Sequence, residues 1–100
     1  MIVDSIKYAL TFFVAGKEAE TTGEVIAALR KALDVKLKRN YTFEIIDVLE
    51  HPEMAVKKQI LLTPTLLRER PLPSKKVVGN IHNLAKITEV VALIFNSVSG

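Results

Sequence analysis

Apolar residues alternate with others from Ile6 to Val14, placing Ile6, Tyr8, Leu10, Phe12 and Val14 on one face. Ala9 and Phe13 make the second face partly apolar, which predicts an interior strand covered on both sides and ended by Ala15-Gly16. The period then lengthens. Val25, Ile26, Leu29, Ala32, Leu33 and Leu37 form one helical stripe while Arg30, Lys31, Asp34 and Lys38 face away, so a helix is expected from about Thr22 to Lys38. Thr21 and Glu24 stand at capping-box spacing before it. Tyr41 to Leu49 predicts a second strand, with Tyr41, Phe43 and Ile45 on one face and Ile46 and Val48 on the other. Two such strands joined by a helix imply a right-handed parallel βαβ unit.

In the second half the local signals compete. Pro52 suits the first turn of a short helix running to about Gln59, with His51 in the cap position. Thr65 to Arg70 predicts a strand, Pro71-Leu72-Pro73-Ser74 a turn, and Lys75 to Val78 the antiparallel partner strand, closed by Gly79-Asn80. Leu84, Ile87, Val91 and Ile94 keep a helical stripe, yet Val90 to Phe95 is also a continuous β-branched apolar run of strand length. Periodicity alone leaves that segment open.

With 100 residues, nearly half of them apolar and a quarter charged, the chain fits one globular domain spanning residues 1–100. No apolar run reaches membrane-spanning length, and Met1 to Ser5 lacks a leader pattern, so the expected location is the cytoplasm. The net charge of +3 is spread over short doublets such as Lys57-Lys58 and Lys75-Lys76. A nucleic-acid face would show a denser basic stripe, so no nucleic-acid partner is expected.

The element order strand, helix, strand, helix, strand, strand, helix is that of thioredoxin-like folds, which also place a structural proline in a Thr-Pro-Thr such as Thr63-Pro64-Thr65. Their dithiol follows the first strand. Here that stretch is Gly16-Lys17-Glu18-Ala19-Glu20, and the chain has no cysteine, which excludes thiol redox chemistry. A glutathione-type small-ligand site built on the backbone before Pro64 is the enzyme-class alternative. His51 and His82 have no third ligand at metal-binding spacing, so neither metal nor other cofactor is expected. Asp47, at the end of a strand, reads as a turn or partner-contact residue. Ser5, Ser74, Ser97 and Ser99 have no base beside them in sequence. No catalytic constellation is visible.

Phe13-Val14-Ala15-Gly16, Ile46-Asp47-Val48-Leu49, His51-Pro52, Ile60 to Leu66 with Thr63-Pro64-Thr65-Leu66, Pro71-Leu72-Pro73 and Lys75 to Asn80 follow one another in a characteristic order. In order and spacing they resemble the KaiB family of clock proteins, from about Lys7 to Phe95, with one extra residue between Gly16 and Ile46. The resemblance implies a noncatalytic regulator with two folds: a resting βαββααβ homo-oligomer, usually a tetramer, and a monomeric thioredoxin-like βαβαββα state. The second docks on a hexameric KaiC-type ATPase, competes with a SasA-type kinase and, where KaiA exists, sequesters it. It also implies that the resting oligomer is the stable form, with Leu84 to Phe95 as a strand. A single-fold stress-response homo-oligomer is the remaining alternative.

Residue by residue, the resemblance implies a switch hinge at Gly79 and Asn80, with asparagine where aspartate is usual. Arg68, Lys75 and Lys76 match basic positions that help form the partner-binding face, and Pro64, Pro71 and Pro73 are cis-proline candidates. Val56-Lys57-Lys58 replaces a usually acidic stretch, Ala27 replaces a usual arginine, and Asn96 to Gly100 lacks the acidic tail of many members. Such rim charges set partner choice and association rate more than affinity.

Overall fold

The computed structural model describes residues 7–16, 23–79, 81 and 83–95. Strand β1 spans Tyr8–Val14 and helix α1 spans Gly23–Leu37. Strand β2 follows at Tyr41–Asp47 and the short helix α2 at Pro52–Lys57. Strands β3, Thr65–Arg70, and β4, Lys75–Val78, precede a 3₁₀ turn at Leu84–Lys86 and helix α3 at Ile87–Phe95.

The strands form one sheet in the order β2-β1-β3-β4. β1 pairs in parallel with β2, from Tyr8 opposite Tyr41 to Val14 opposite Asp47, and antiparallel with β3, which is antiparallel to β4. The two-sided apolar pattern of β1 is explained by this central place. Leu10, Phe12, Phe13 and Val14 are all buried.

One face of the sheet, carrying Leu10, Phe12, Val14 and Leu66, shares a single core with Val25, Leu29 and Leu33 of α1 and Ile87, Val90, Val91 and Ile94 of α3. Phe13 and Leu67 are buried on the opposite face, which the turn after α2 flanks through an ion pair from Lys58 to Glu69 (2.6 Å). Both partners of that pair are about one-third exposed, so its contribution is small, roughly 0–1 kcal/mol.

Several boundaries depart from the sequence reading. β2 ends at Asp47 rather than Leu49, because the Asp47 carboxylate accepts the Leu49 N–H (2.9 Å) and turns the chain. α2 ends at Lys57, and Gln59 takes a left-handed backbone with φ of 58°. His51 occupies its N-cap without a side-chain capping bond. The Thr21 capping box lies outside the described residues.

The largest departure concerns the C-terminal segment. The resting fold would make Leu84 to Phe95 a strand; here it is helical, and the arrangement is the thioredoxin-like one. Ile87, Val90, Val91 and Ile94 all enter the core on one side of α3, a spacing a strand cannot bring to one face. The Asn83 side chain accepts the Ala85 N–H at the start of this segment.

Candidate docking rim and the residues around it

The carboxyl ends of β1 and β2, where a thioredoxin-like sheet carries its functional loops, meet the start of β3 and the end of β4. Thr65 pairs with Phe13 on one side and Val78 on the other, which brings Gly16, Asp47, Pro64 and Gly79 to one rim. Asp47 ties it together. Its Oδ1 accepts the Gly16 N–H (2.9 Å) as well as that of Leu49. Gly16 has φ of 48°, and a Cβ there would stand 2.7 Å from Leu49 Cδ1, so the tight turn favours glycine.

The two backbone N–H groups, first Gly16 and then Leu49, hold the Asp47 carboxyl below its ordinary value of 3.8. A depressed folded-state value stabilises the fold fully above the unfolded value, and that contribution is lost as pH falls through the folded one. Acid unfolding followed by circular dichroism should therefore show stability falling below about pH 4, with a shallower fall in Asp47→Asn. Asparagine can still accept both bonds through its carbonyl. An unchanged acid profile in the variant would remove Asp47 as the cause.

The polypeptide between α2 and β3 completes the rim. The Thr63-Pro64 bond is cis, Thr65 Oγ1 donates to the Leu62 carbonyl (2.6 Å), and the Gly79 N–H donates to the Pro64 carbonyl (3.3 Å). Leu61 and Leu62 of this stretch are exposed, Leu61 at 91%, as are Leu49 after β2 and Val78 at the end of β4. Exposed leucines near a rim where four chain segments converge suit a protein contact better than a polar small-molecule site.

The residues singled out in the sequence fall in three places. Gly79, with φ of 81°, follows β4 at the rim, while Asn80 lies outside the described residues. Lys75 and Lys76 sit on edge strand β4, and Lys76 Nζ donates to the Gln59 carbonyl (2.7 Å) beside a groove of about 1140 Å³ that Lys7, Lys58 and Arg70 also line. Arg68 is different. It is only 3% exposed, donating from Nη1 to the Ile94 carbonyl (3.0 Å) and from Nη2 to the Pro73 carbonyl (2.8 Å). It is an internal strut between α3 and the β3–β4 turn rather than an open contact residue. That turn carries two further cis bonds, before Pro71 and before Pro73.

The signal for the burial of Arg68 was present in the sequence. Strand alternation from Leu66 puts Arg68 on the core face, opposite Leu10. The pair Tyr41 and Asp34 carried no such signal. The Tyr41 hydroxyl donates to the Asp34 carboxylate, and burial, followed by that carboxylate, pushes the phenol up to about 12. His82 lies outside the described residues, and among those described no group of three His, Cys, Asp or Glu could hold a metal. No described helix is long and apolar enough to cross a membrane.

Strand order, helix placement and the proline before β3 together define a thioredoxin-like domain, here in a chain without cysteine. Solved structures agree. The N-terminal domain of Synechococcus elongatus SasA superposes with a TM-score of 0.73 at 14% identity, covering 100% of this chain and 93% of that one. The thioredoxin Deadhead of Drosophila melanogaster does so with 0.63 at 20% identity, covering 88% and 81%. Within that class the chain belongs to the KaiB family: the KaiB domain pattern matches residues 11–93. The circadian clock oscillator protein KaiB of Synechococcus elongatus is 31% identical over 88 residues, 88% of this chain and 85% of that protein. The circadian clock protein KaiB3 of Synechocystis is 31% identical over 85 residues, 85% and 82% of the two chains.

Proposed function

We propose that this protein is a noncatalytic, cytoplasmic clock regulator that docks on a hexameric KaiC-type ATPase in the thioredoxin-like state described above. The observation that carries this reading is the KaiB domain match over residues 11–93, in a chain that has no cysteine and whose rim exposes Leu49, Leu61 and Leu62. The apolar rim of Leu49, Leu61, Leu62 and Val78 supplies buried contact area, and Lys75 and Lys76 on the adjoining edge supply charge for partner choice. Arg68 acts on that face from inside, by holding the β3–β4 turn. A SasA-type kinase, whose N-terminal domain shares this fold, competes for the same seat, and KaiA is captured where it is present. In the resting state the chain self-associates as a dimer or tetramer.

Exchange between the two folds turns on Gly79 and Asn80. Gly79 has a left-handed backbone in this arrangement, so Gly79→Ala costs the thioredoxin-like state about 1 kcal/mol, or roughly a fivefold loss of its share. Size-exclusion chromatography after prolonged incubation with a KaiC-type ATPase should show a complex with the native chain and markedly less with Gly79→Ala. No complex with the native chain would refute the assignment. A single set of amide resonances across temperature would instead favour a homo-oligomer with one fold.

A further inference from the structure

At the end of the sheet remote from the rim, a cleft of about 340 Å³ opens between Tyr8, Lys36, Leu37, Arg68, Pro71 and Phe95. Four elements and a turn build it: the start of β1, the last turn of α1, the core face of β3, the end of α3, and Pro71. Its walls divide by chemistry. Tyr8 and Phe95 meet edge to face with ring centroids 5.3 Å apart, and Lys36 Nζ lies 5.6 Å from the Phe95 centroid.

Arg68 supplies the decisive feature. Its Nε is buried and has no hydrogen-bond partner among the described residues, although both terminal nitrogens are bonded to carbonyls. A guanidinium has five N–H donors and is never deprotonated, so a buried one normally faces a carboxylate. Here none of the six lining residues is acidic. Two cations thus share one cleft with an orphaned donor, next to an aromatic wall, and the volume is at the lower end of that of small-molecule sites.

We propose that this cleft binds a small organic anion, its carboxylate or phosphate held by Arg68 and Lys36 and its planar body lying against Phe95 and Tyr8. The oxyanion takes guanidinium N–H donors that the two carbonyls leave unbonded, in the fork geometry that guanidinium offers oxyanions, the cleft walls shifting to uncover the sealed Nε. Lys36, at the solvent side, adds a second charge. Because Phe95 of docked α3 forms one wall, an occupied cleft stabilises the docked position of this helix against its release. Binding of the anion itself requires no ATPase partner.

The test is an amide NMR titration of the full chain with sodium benzoate, phenyl phosphate and inorganic phosphate, each against sodium chloride at matched ionic strength. Saturating shifts confined to Tyr8, Lys36, Leu37, Arg68 and Phe95 are expected with benzoate or phenyl phosphate, accompanied by a rise in Tm. Equal saturation by inorganic phosphate supports the oxyanion half of the site and assigns the recognition to charge. Lys36→Gln, a change at an exposed side chain, should weaken binding at least tenfold while the spectrum stays that of the native fold. Arg68→Lys should weaken it further, since an ammonium cannot reproduce the fork. Shifts that rise linearly without saturation, that sodium chloride reproduces, or that survive Lys36→Gln unchanged would overturn the proposal.

Discussion

Ile94→Ala is expected to lower the unfolding free energy by roughly 2–5 kcal/mol, the usual range for emptying a fully buried aliphatic site. Ile94 has no exposed surface and lies in the same core as Leu29 and Leu33 of α1 and Leu66 of β3. A domain of this size has a total margin of only about 5–15 kcal/mol, so this single change removes a large share of it. Urea unfolding should show a lower midpoint with an unchanged slope. Leu93, one residue earlier and 44% exposed, is the control: Leu93→Ala should cost less than about 1 kcal/mol. Equal costs for the two substitutions would mean that α3 does not dock on this face.

Arg68→Leu ranks second, and its sign depends on two opposing terms. Removing a buried charge without a carboxylate partner relieves desolvation, which favours the variant. Against that, the substitution strips the Ile94 and Pro73 carbonyls of charge-assisted hydrogen bonds, each typically about 1.5–3 kcal/mol. The second term should win, because both carbonyls lose a charged donor at once and leucine leaves part of the arginine volume empty. A net loss of about 2 kcal/mol is expected in chemical denaturation. Hydrogen exchange supplies the discriminating readout: protection should fall in α3 and in the Pro71 to Ser74 turn before it falls in β1. A variant as stable as the native protein, with α3 protection intact, would show that the strut carries no net energy.

How legible the fold was depends on how local its causes are. α1 was readable within a residue at each end, since its stripe needs only one buried face and finds it at Val25, Leu29 and Leu33. β3 and β4 were readable to the residue because prolines punctuate them. The end of β2 was not, because it is set by a carboxylate that also serves Gly16, a residue far back in sequence. The rim was half visible: the residues around Pro64 stood out, whereas the exposure of Leu49, Leu61 and Leu62 depends on how little α2 covers. Arg68 was singled out as a basic position of the partner-binding face; strand alternation already put it on the core side, but its bond to the C-terminal end of α3 has no local signal.

By itself the sequence determined an α/β domain without thiol chemistry, the parallel β1–α1–β2 unit, the β3–β4 pair and the family to which the chain belongs. The fold elements follow from periodicity, turn chemistry and the absence of cysteine, all of which act over a few residues or none, whereas the family follows from the resemblance in motif order and spacing. Tertiary structure alone decided that Ile87 to Phe95 is a helix, that Arg68 is a strut, and that Lys36, Arg68 and Phe95 line one cleft. The physical reason is the same in each case. A β-branched apolar run is nearly indifferent between helix and strand, and only the buried area offered by α1 and the sheet breaks that tie.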